Sequence, residues 1–287
     1  MRKQILLFSL LAVILDACGY EVKIADCEVR CSADTGCPEG FSCAHELGVC
    51  RTPGATNACK SIPTDSTDAD NTVPITWRST TTQTIVGGST ITAVTIAAPL
   101  TLPDDLLVAA IAMGSVGESA APAFTAPPGW TIVRQTNKGL DSALAVYWHV
   151  TGTTETSSYT WSFNQAMQGI AWISSYSGVS VTDPIENENG LLDPSTGTNY
   201  TLPALTITVA DTMVISEVAG HDPSTPATWT APAGWSVRAN LNNGTTRSGL
   251  SIDGLASVAG SLPEYNVTAA TSQEYALMNT LALRPAR

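Results

Sequence analysis

The sequence predicts an all-β protein: an antiparallel β-sandwich built from two similar halves, preceded by a small disulfide-rich module. Three observations carry this expectation. From about residue 73 to the end, short runs alternate at period two between Gly, Pro and Asn turns, and no stretch sustains a helical period. The stretch Phe124-Thr-Ala-Pro-Pro-Gly-Trp130 returns as Trp229-Thr-Ala-Pro-Ala-Gly-Trp235, about 105 positions later. All seven cysteines lie at or before Cys59.

Composition bounds the function classes. Hydrophobic residues make up 44% of the 287, enough for a packed core, whereas charged residues are only 13%. The surface must therefore be covered largely by Thr, Ser, Asn, Gly and Ala. A net charge of −12, with no Lys/Arg cluster after residue 3, argues against nucleic acid or anionic lipid as a partner.

The N-terminus reads as an export device. Met1-Arg-Lys3 is positive, and Ile5 to Leu15 is an apolar run too short to span a bilayer but suited to a signal peptide. Leu15-Asp-Ala-Cys18 then resembles a bacterial lipobox, with Asp16 departing from the usual small or apolar residue. The resemblance implies a signal peptide over 1–17 and lipid attachment at Cys18, which would hold the protein on a membrane. An ordinary signal peptide cut elsewhere is the alternative. By the sorting rule of enteric bacteria, Gly19 after the acceptor directs the product to the outer membrane.

The remaining six cysteines, Cys27, Cys31, Cys37, Cys43, Cys50 and Cys59, form an even, dense cluster in an exported chain and read as three disulfides. Fifteen pairings are open. A zinc site is the competitor, but the spacings contain no CxxC pair and only His45 lies nearby. Cys37-Pro-Glu-Gly-Phe-Ser-Cys43 resembles the CPxGxxC core of small modules that recur in lipoproteins of myxobacteria and their relatives. The module spans 18–59 and has too few apolar residues for a core of its own, so the disulfides must stabilise it; a rigid spacer is the expected role, with protein binding as the alternative. Residues 60–74 are polar, acidic and aperiodic, as in an extended linker.

Within 75–287 the strands follow in order. Leu106 to Met113 and Ile170 to Ile173 are continuous apolar runs, as in strands buried on both faces. Leu144 to Val150 places Leu144, Val146, Trp148 and Val150 on one face. Tyr159 to Phe163 places three aromatics on one face, and Leu205 to Val209 alternates as cleanly. Gln165 to Gln168 reads as one helical turn. The halves span about 75–182 and 200–287, and the alignment sets Ile111 against Glu217 and Leu144 against Leu250. At each repeated motif, proline fixes φ and Gly129 or Gly234 permits positive φ, so the chain turns a corner and sets Trp130 or Trp235 into the core. The halves are expected to share one core.

Residues 75–287 also resemble a β-sandwich module of secreted bacterial and phage structural proteins. The marks are a "GDLLVA" strand at Asp104–Ala109, a "PPGWT" turn at Pro127–Thr131, an "LAVYW" strand at Leu144–Trp148 and a "SYTWS" strand at Ser158–Ser162, with a further segment at Tyr176–Ile185. Asp104 replaces the usual Gly. The resemblance implies a jelly-roll-like architecture in a surface or virion context and transfers no catalytic residue.

Chemistry is sparse in the sequence. No GxSxG, HExxH or phosphate loop is present. Phe124 and Trp229, the less uniform aromatics of the two motifs, are candidates for a carbohydrate platform. The acidic stretch Asp183 to Asp193 reads as a loop in which Asp183, Glu186, Glu188 and Asp193 could ligate calcium, although the spacing is not that of an EF-hand. His221-Asp222 could be a metal pair or part of a hydrolytic site. Glu217, Glu264 and Glu274 are candidates for carboxylate-driven glycoside cleavage.

The resulting expectation is a lipid-anchored cell-envelope protein that is not an enzyme. It has no catalytic residue or required cofactor, and it presents the sandwich for binding, adhesion or a structural role toward glycan or another envelope protein. A polysaccharide hydrolase and a purely architectural surface module are the alternatives.

Overall fold

A computed structural model describes residues 73–85, 89–115, 117 and 120–287, and the backbone of Ser42–Ala44 and Val49–Arg51. The chain divides into two units, Met1–Ala69 and Asp70–Arg287. In the first, β1 (Ser42–Ala44) and β2 (Val49–Arg51) pair antiparallel, with Cys43 in register with Cys50. The expected signal peptide, the lipid site Cys18, the linker and cysteines 27, 31, 37 and 59 lie outside the described residues.

The second unit is an antiparallel all-β sandwich, with no helix among the described residues. Its first half comprises β3 (Thr76–Thr84), β4 (Ile91–Ala97), β5 (Leu106–Ser115), β6 (Phe124–Thr125), β7 (Thr131–Lys138), β8 (Ser142–Val150) and β9 (Ser158–Ser177). Its second comprises β10 (Ile185–Asp193), β11 (Gly197–Thr201), β12 (Thr206–Ile207), β13 (Thr212–His221) and β14 (Trp229–Thr230), then β15 (Ser236–Asn242), β16 (Arg247–Ala256), β17 (Gly260–Ser261), β18 (Asn266–Gln273) and β19 (Tyr275–Leu283).

The duplication is a duplication of topology. The first half forms a main sheet in the order β3-β9-β5-β8-β7, and the second forms one in the order β10-β19-β13-β16-β15. Each main sheet is covered on its outer side by short strands. In the first half β4 and β6 pair with the leading part of β9; in the second β11 and β14 flank β18. The N-terminal part of β9 thus serves the cover, and its C-terminal part serves the main sheet. The expected helical turn at Gln165–Gln168 is instead where this strand crosses from one sheet to the other, across a register shift in its pairing with β4. A second half that divides the same work between β18 and β19 is the simpler version of this device.

The halves meet through their main sheets. Leu106, Val108, Leu144, Val146, Ile170 and Trp172 from one side share a core with Met213, Ile215, Leu277, Leu281 and Leu283 from the other. Two larger outer cores lie beneath the covers, beside a small cluster of Leu205, Ile207, Val214 and Ala282 that packs against Trp235. One is built on Tyr159, Trp161, Ile111 and Met113, the other on Tyr200, Trp229, Val218 and Val267. The central main-sheet strands are therefore buried on both faces. This explains why Leu106 to Met113 of β5 and Ile170 to Ile173 of β9 read as unbroken apolar runs, and why β5 and β19 are buried at every position. The alternation expected for Tyr159 to Phe163 and for Leu144 to Val150 is present, the first facing an outer core and the second the shared one.

Polar ties cross the shared core. Trp172 Nε1 donates to Glu217 at 2.9 Å, and Tyr176 donates to Asp253 at 3.1 Å. Thr136 donates to Asn279 at 2.6 Å, Arg134 pairs with Glu188, and Arg238 lies 4.3 Å from the centre of the Trp77 ring. Each tie joins the first half to the second, so they fix which residues face each other across an interface that apolar packing alone would leave free to slide.

Two sequence-based expectations need correction here. The stretch from Ile185 to Asp193 is not a loop but the edge strand β10, the counterpart of β3, so the second half begins near residue 185. Its polar composition is that of an edge strand, whose outward groups must be solvated or tied to loops. Asn187 and Asn189 do the latter, donating to the carbonyls of Thr206 and Ala204. The alignment of Ile111 with Glu217 is also one residue out of step. Asp104 and Asp211 are the two described non-glycine residues with positive φ, 67° and 60°, and mark equivalent turns. Counting from them sets Ala110 against Glu217, and both face the shared core. A slip of one residue reverses every side chain on a strand.

Candidate functional site

The two repeated corners are built alike. Trp130 N donates to Pro127 O at 3.3 Å, and Trp235 N donates to Pro232 O at 3.2 Å; Gly129 and Gly234 sit at φ 86° and 85°. This is a turn with glycine where positive φ is required. The corner delivers Trp130 into the first outer core, 9% exposed. The expectation that Trp235 is planted equally deep fails: Trp235 is only half-buried.

The proposed platform residues do not form a platform. Trp229 is 4% exposed in the second outer core, its Nε1 donating to Ser248 at 3.0 Å. Phe124 is half-buried, edge-on to Phe163 with ring centres 5.4 Å apart. The substitution between copies is a volume exchange. In the first half Phe124 stands opposite Phe163; in the second Trp229 stands opposite Ala269. The larger ring is accommodated by the smaller partner and by Gly220, where an added Cβ would lie 2.5 Å from the Trp229 ring.

The four calcium candidates do not converge. Asp183 precedes the strand, a register shift between Ile185 and Asn187 breaks the alternation at Glu186, and Asp193 lies five residues beyond Glu188. Each carboxylate also has its own partner. Asp183 pairs with Arg284 at 3.2 Å, and Glu188 with Arg134. Asp193 accepts from the Ser195 amide at 2.9 Å. Glu186 accepts from the Thr208 and Val209 amides and the Thr208 and Thr212 hydroxyls, which outweigh burial and hold its pKa below the usual carboxylate value. No group of three or more metal-ligating side chains occurs among the described residues.

Of the remaining titratable candidates, His221, Asp222 and Glu274 are likewise engaged, whereas Glu264 is exposed ahead of β18. His221 Nδ1 lies 3.1 Å from Glu274, and burial, assisted by Arg247, lowers the imidazole pKa. Asp222 instead caps its own turn through the Ser224 amide at 2.8 Å. Glu217 is fully buried; its Oε2 takes the Trp172 indole, and Ser251 on the paired strand is its other polar neighbour. Burial pushes this carboxyl up to about 8, with nearby Asp253 adding to the effect. Sealed between the sheets, it has no route to a polysaccharide.

The feature that the sequence reading missed lies at the second corner. In the first half the face of Trp130 is occupied. The His149 ring stacks on it at 5.4 Å and 29°, Trp161 and Tyr159 meet it edge-on at 5.0 Å, and His149 Nδ1 donates to Gly129 O at 3.0 Å. Glu155 locks the histidine from the other side at 3.3 Å. In the second half, strand pairing sets Gly254 at the place of His149 and Val267 at that of Trp161. Two rings are thereby removed. What remains is Trp235, edge-on to Tyr265 at 5.1 Å, beside a cavity of about 420 Å³. Its walls include the Gly254–Pro263 segment and carry no charged side chain. Leu255 and Val258 form an exposed rim, 59% and 75% accessible. The signal was present in the repeat itself, as a glycine where the first copy carries an aromatic ring, but a one-residue misalignment hid it. Comparison with protein-family models, with curated proteins and with solved structures finds no match to this chain.

Proposed function

We propose that the chain is a lipid-anchored protein of the cell envelope that presents its double sandwich for non-enzymatic binding. Cys18 would carry the lipid, the cysteine-rich module and acidic linker would hold the sandwich off the membrane, and the partner would be an envelope glycan or protein. The observation that carries the binding role is the open corner at Trp235. It is a concave, uncharged site of small-molecule size with an aromatic side chain at its wall, held by the glycine turn that leads into the edge strand β15. Its described lining offers hydroxyls and main-chain groups but no carboxylate, imidazole or amine to move a proton, which favours retention of a ligand over its cleavage.

Cells producing the full chain test both parts. Cys18→Ala should move the protein from the membrane fraction to the soluble fraction. Trp235→Ala should leave it in the membrane and abolish its contribution to cell adhesion. Membrane retention of Cys18→Ala would remove the anchor, and undiminished adhesion by Trp235→Ala would remove the binding role.

A further inference from the structure

We infer that the Trp235 corner is a subsite for one neutral sugar ring of an uncharged polysaccharide, an assignment that rests on the binding role proposed above. The argument begins with the first half, which supplies an internal control. There His149 lies almost parallel on Trp130, so a flat ring over this tryptophan is what the corner geometry accommodates. In the second half Gly254 withdraws that ring. A Cβ added there would lie 3.2 Å from Trp235 Cδ2, so any side chain at this position would lie against the indole. The stacking position is thus offered to a ligand instead of being filled by the chain.

The chemistry of the walls selects the class. A pyranose ring presents an apolar C–H face, which stacks on indole, and a rim of hydroxyls, which need donors and acceptors. Trp235 and Tyr265 supply the first; the Ser257 and Ser261 hydroxyls and the main chain around Gly260 stand in the same lining for the second. An anionic sugar would meet no cation in the lining and a chain of net charge −12. A cationic ligand would meet no carboxylate in the lining. The volume of about 420 Å³ lies at the lower end of small-molecule sites, which suits a short segment of glycan rather than a folded partner.

The test is isothermal calorimetry of the detergent-solubilised full chain with cellohexaose, maltohexaose and xylohexaose, and with oligogalacturonate as the anionic comparison. At least one neutral hexasaccharide should bind and oligogalacturonate should not. Gly254→His, which installs the ring of the first half, and Val258→Asp, which alters only the exposed rim, should each weaken that binding at least tenfold. Melting temperatures of both variants report that they fold; a Gly254→His chain that does not fold leaves Val258→Asp to decide. No binding by any neutral hexasaccharide, preference for oligogalacturonate, or unchanged affinity in a folded variant overturns the assignment. Adhesion that depends on Trp235 but is not competed by these sugars overturns the sugar class and leaves the binding role standing.

Discussion

Replacing Glu217 by glutamine should stabilise the protein, and increasingly so as pH rises. The carboxyl is fully buried between the main sheets, where it accepts from Trp172 and neighbours Ser251 on the paired strand. Burial raises its pKa from 4.5 to about 8. The folded state therefore holds the proton to higher pH than the unfolded chain does. The stability this contributes is full below about pH 4.5 and is lost as pH rises toward 8, beyond which the charged carboxylate is the buried species. A shift of about 3.5 units corresponds to about 5 kcal/mol at the upper end, and to about 3 kcal/mol at pH 7. Glutamine keeps the acceptor for Trp172 and cannot ionise. In a domain of this size about 2–4 °C of melting temperature follow each kcal/mol, so Glu217→Gln should melt about 10–20 °C higher at pH 8.5 and nearly with the wild type at pH 4.5. Scanning calorimetry of both chains from pH 4.5 to 9 reads the difference, which isolates Glu217 from the other carboxylates. Parallel curves, with a gap independent of pH, would refute the reasoning.

Three further outcomes are expected. Trp130→Ala removes a ring enclosed by His149, Tyr159 and Trp161 and should cost about 3–5 kcal/mol, whereas Trp235→Ala at the open corner should cost less than half as much; chemical denaturation measures both. Gly220→Ala drives a methyl against Trp229 and should cost about 1–3 kcal/mol, whereas Gly197→Ala, with nothing within 4 Å of the added carbon, should change stability by about 0.5 kcal/mol or less. Because the carboxylates of β10 and its flanks are separately paired, the melting temperature should be the same in calcium and in chelator; a calcium-dependent rise would reinstate a site there.

What could be read from the chain, and what could not, follows from the range of each signal. Period-two alternation is local, so the faces of Tyr159–Phe163 and Leu144–Val150 were legible. The corner motif is local as well, since proline and glycine act on their own dihedrals. Register is not local. The two halves align by eye on Gly-Trp and on apolar runs, but strands buried on both faces carry no alternation to fix the phase. Only the positive φ of Asp104 and Asp211 does so. That one residue of phase decided whether Glu217 faced an outer core or the shared core, and strand pairing decided that Gly254 stood in the place of His149. The polar run Glu186–Gly190 was read as a loop because an edge strand that ties its asparagines to neighbouring carbonyls looks, in sequence, like a solvated turn. Trp229 stood as a platform candidate because its counterpart change, Phe163 to Ala269, lies about 40 residues away along the chain.

The central claim is that duplication produced two corners, one closed by its own side chain and one open. The most direct measurement is the calorimetric stoichiometry of the full chain with the neutral hexasaccharide that binds it. One site per chain, lost in Gly254→His, is the predicted result. Two sites per chain, or one that survives the filling of the second corner, would contradict it.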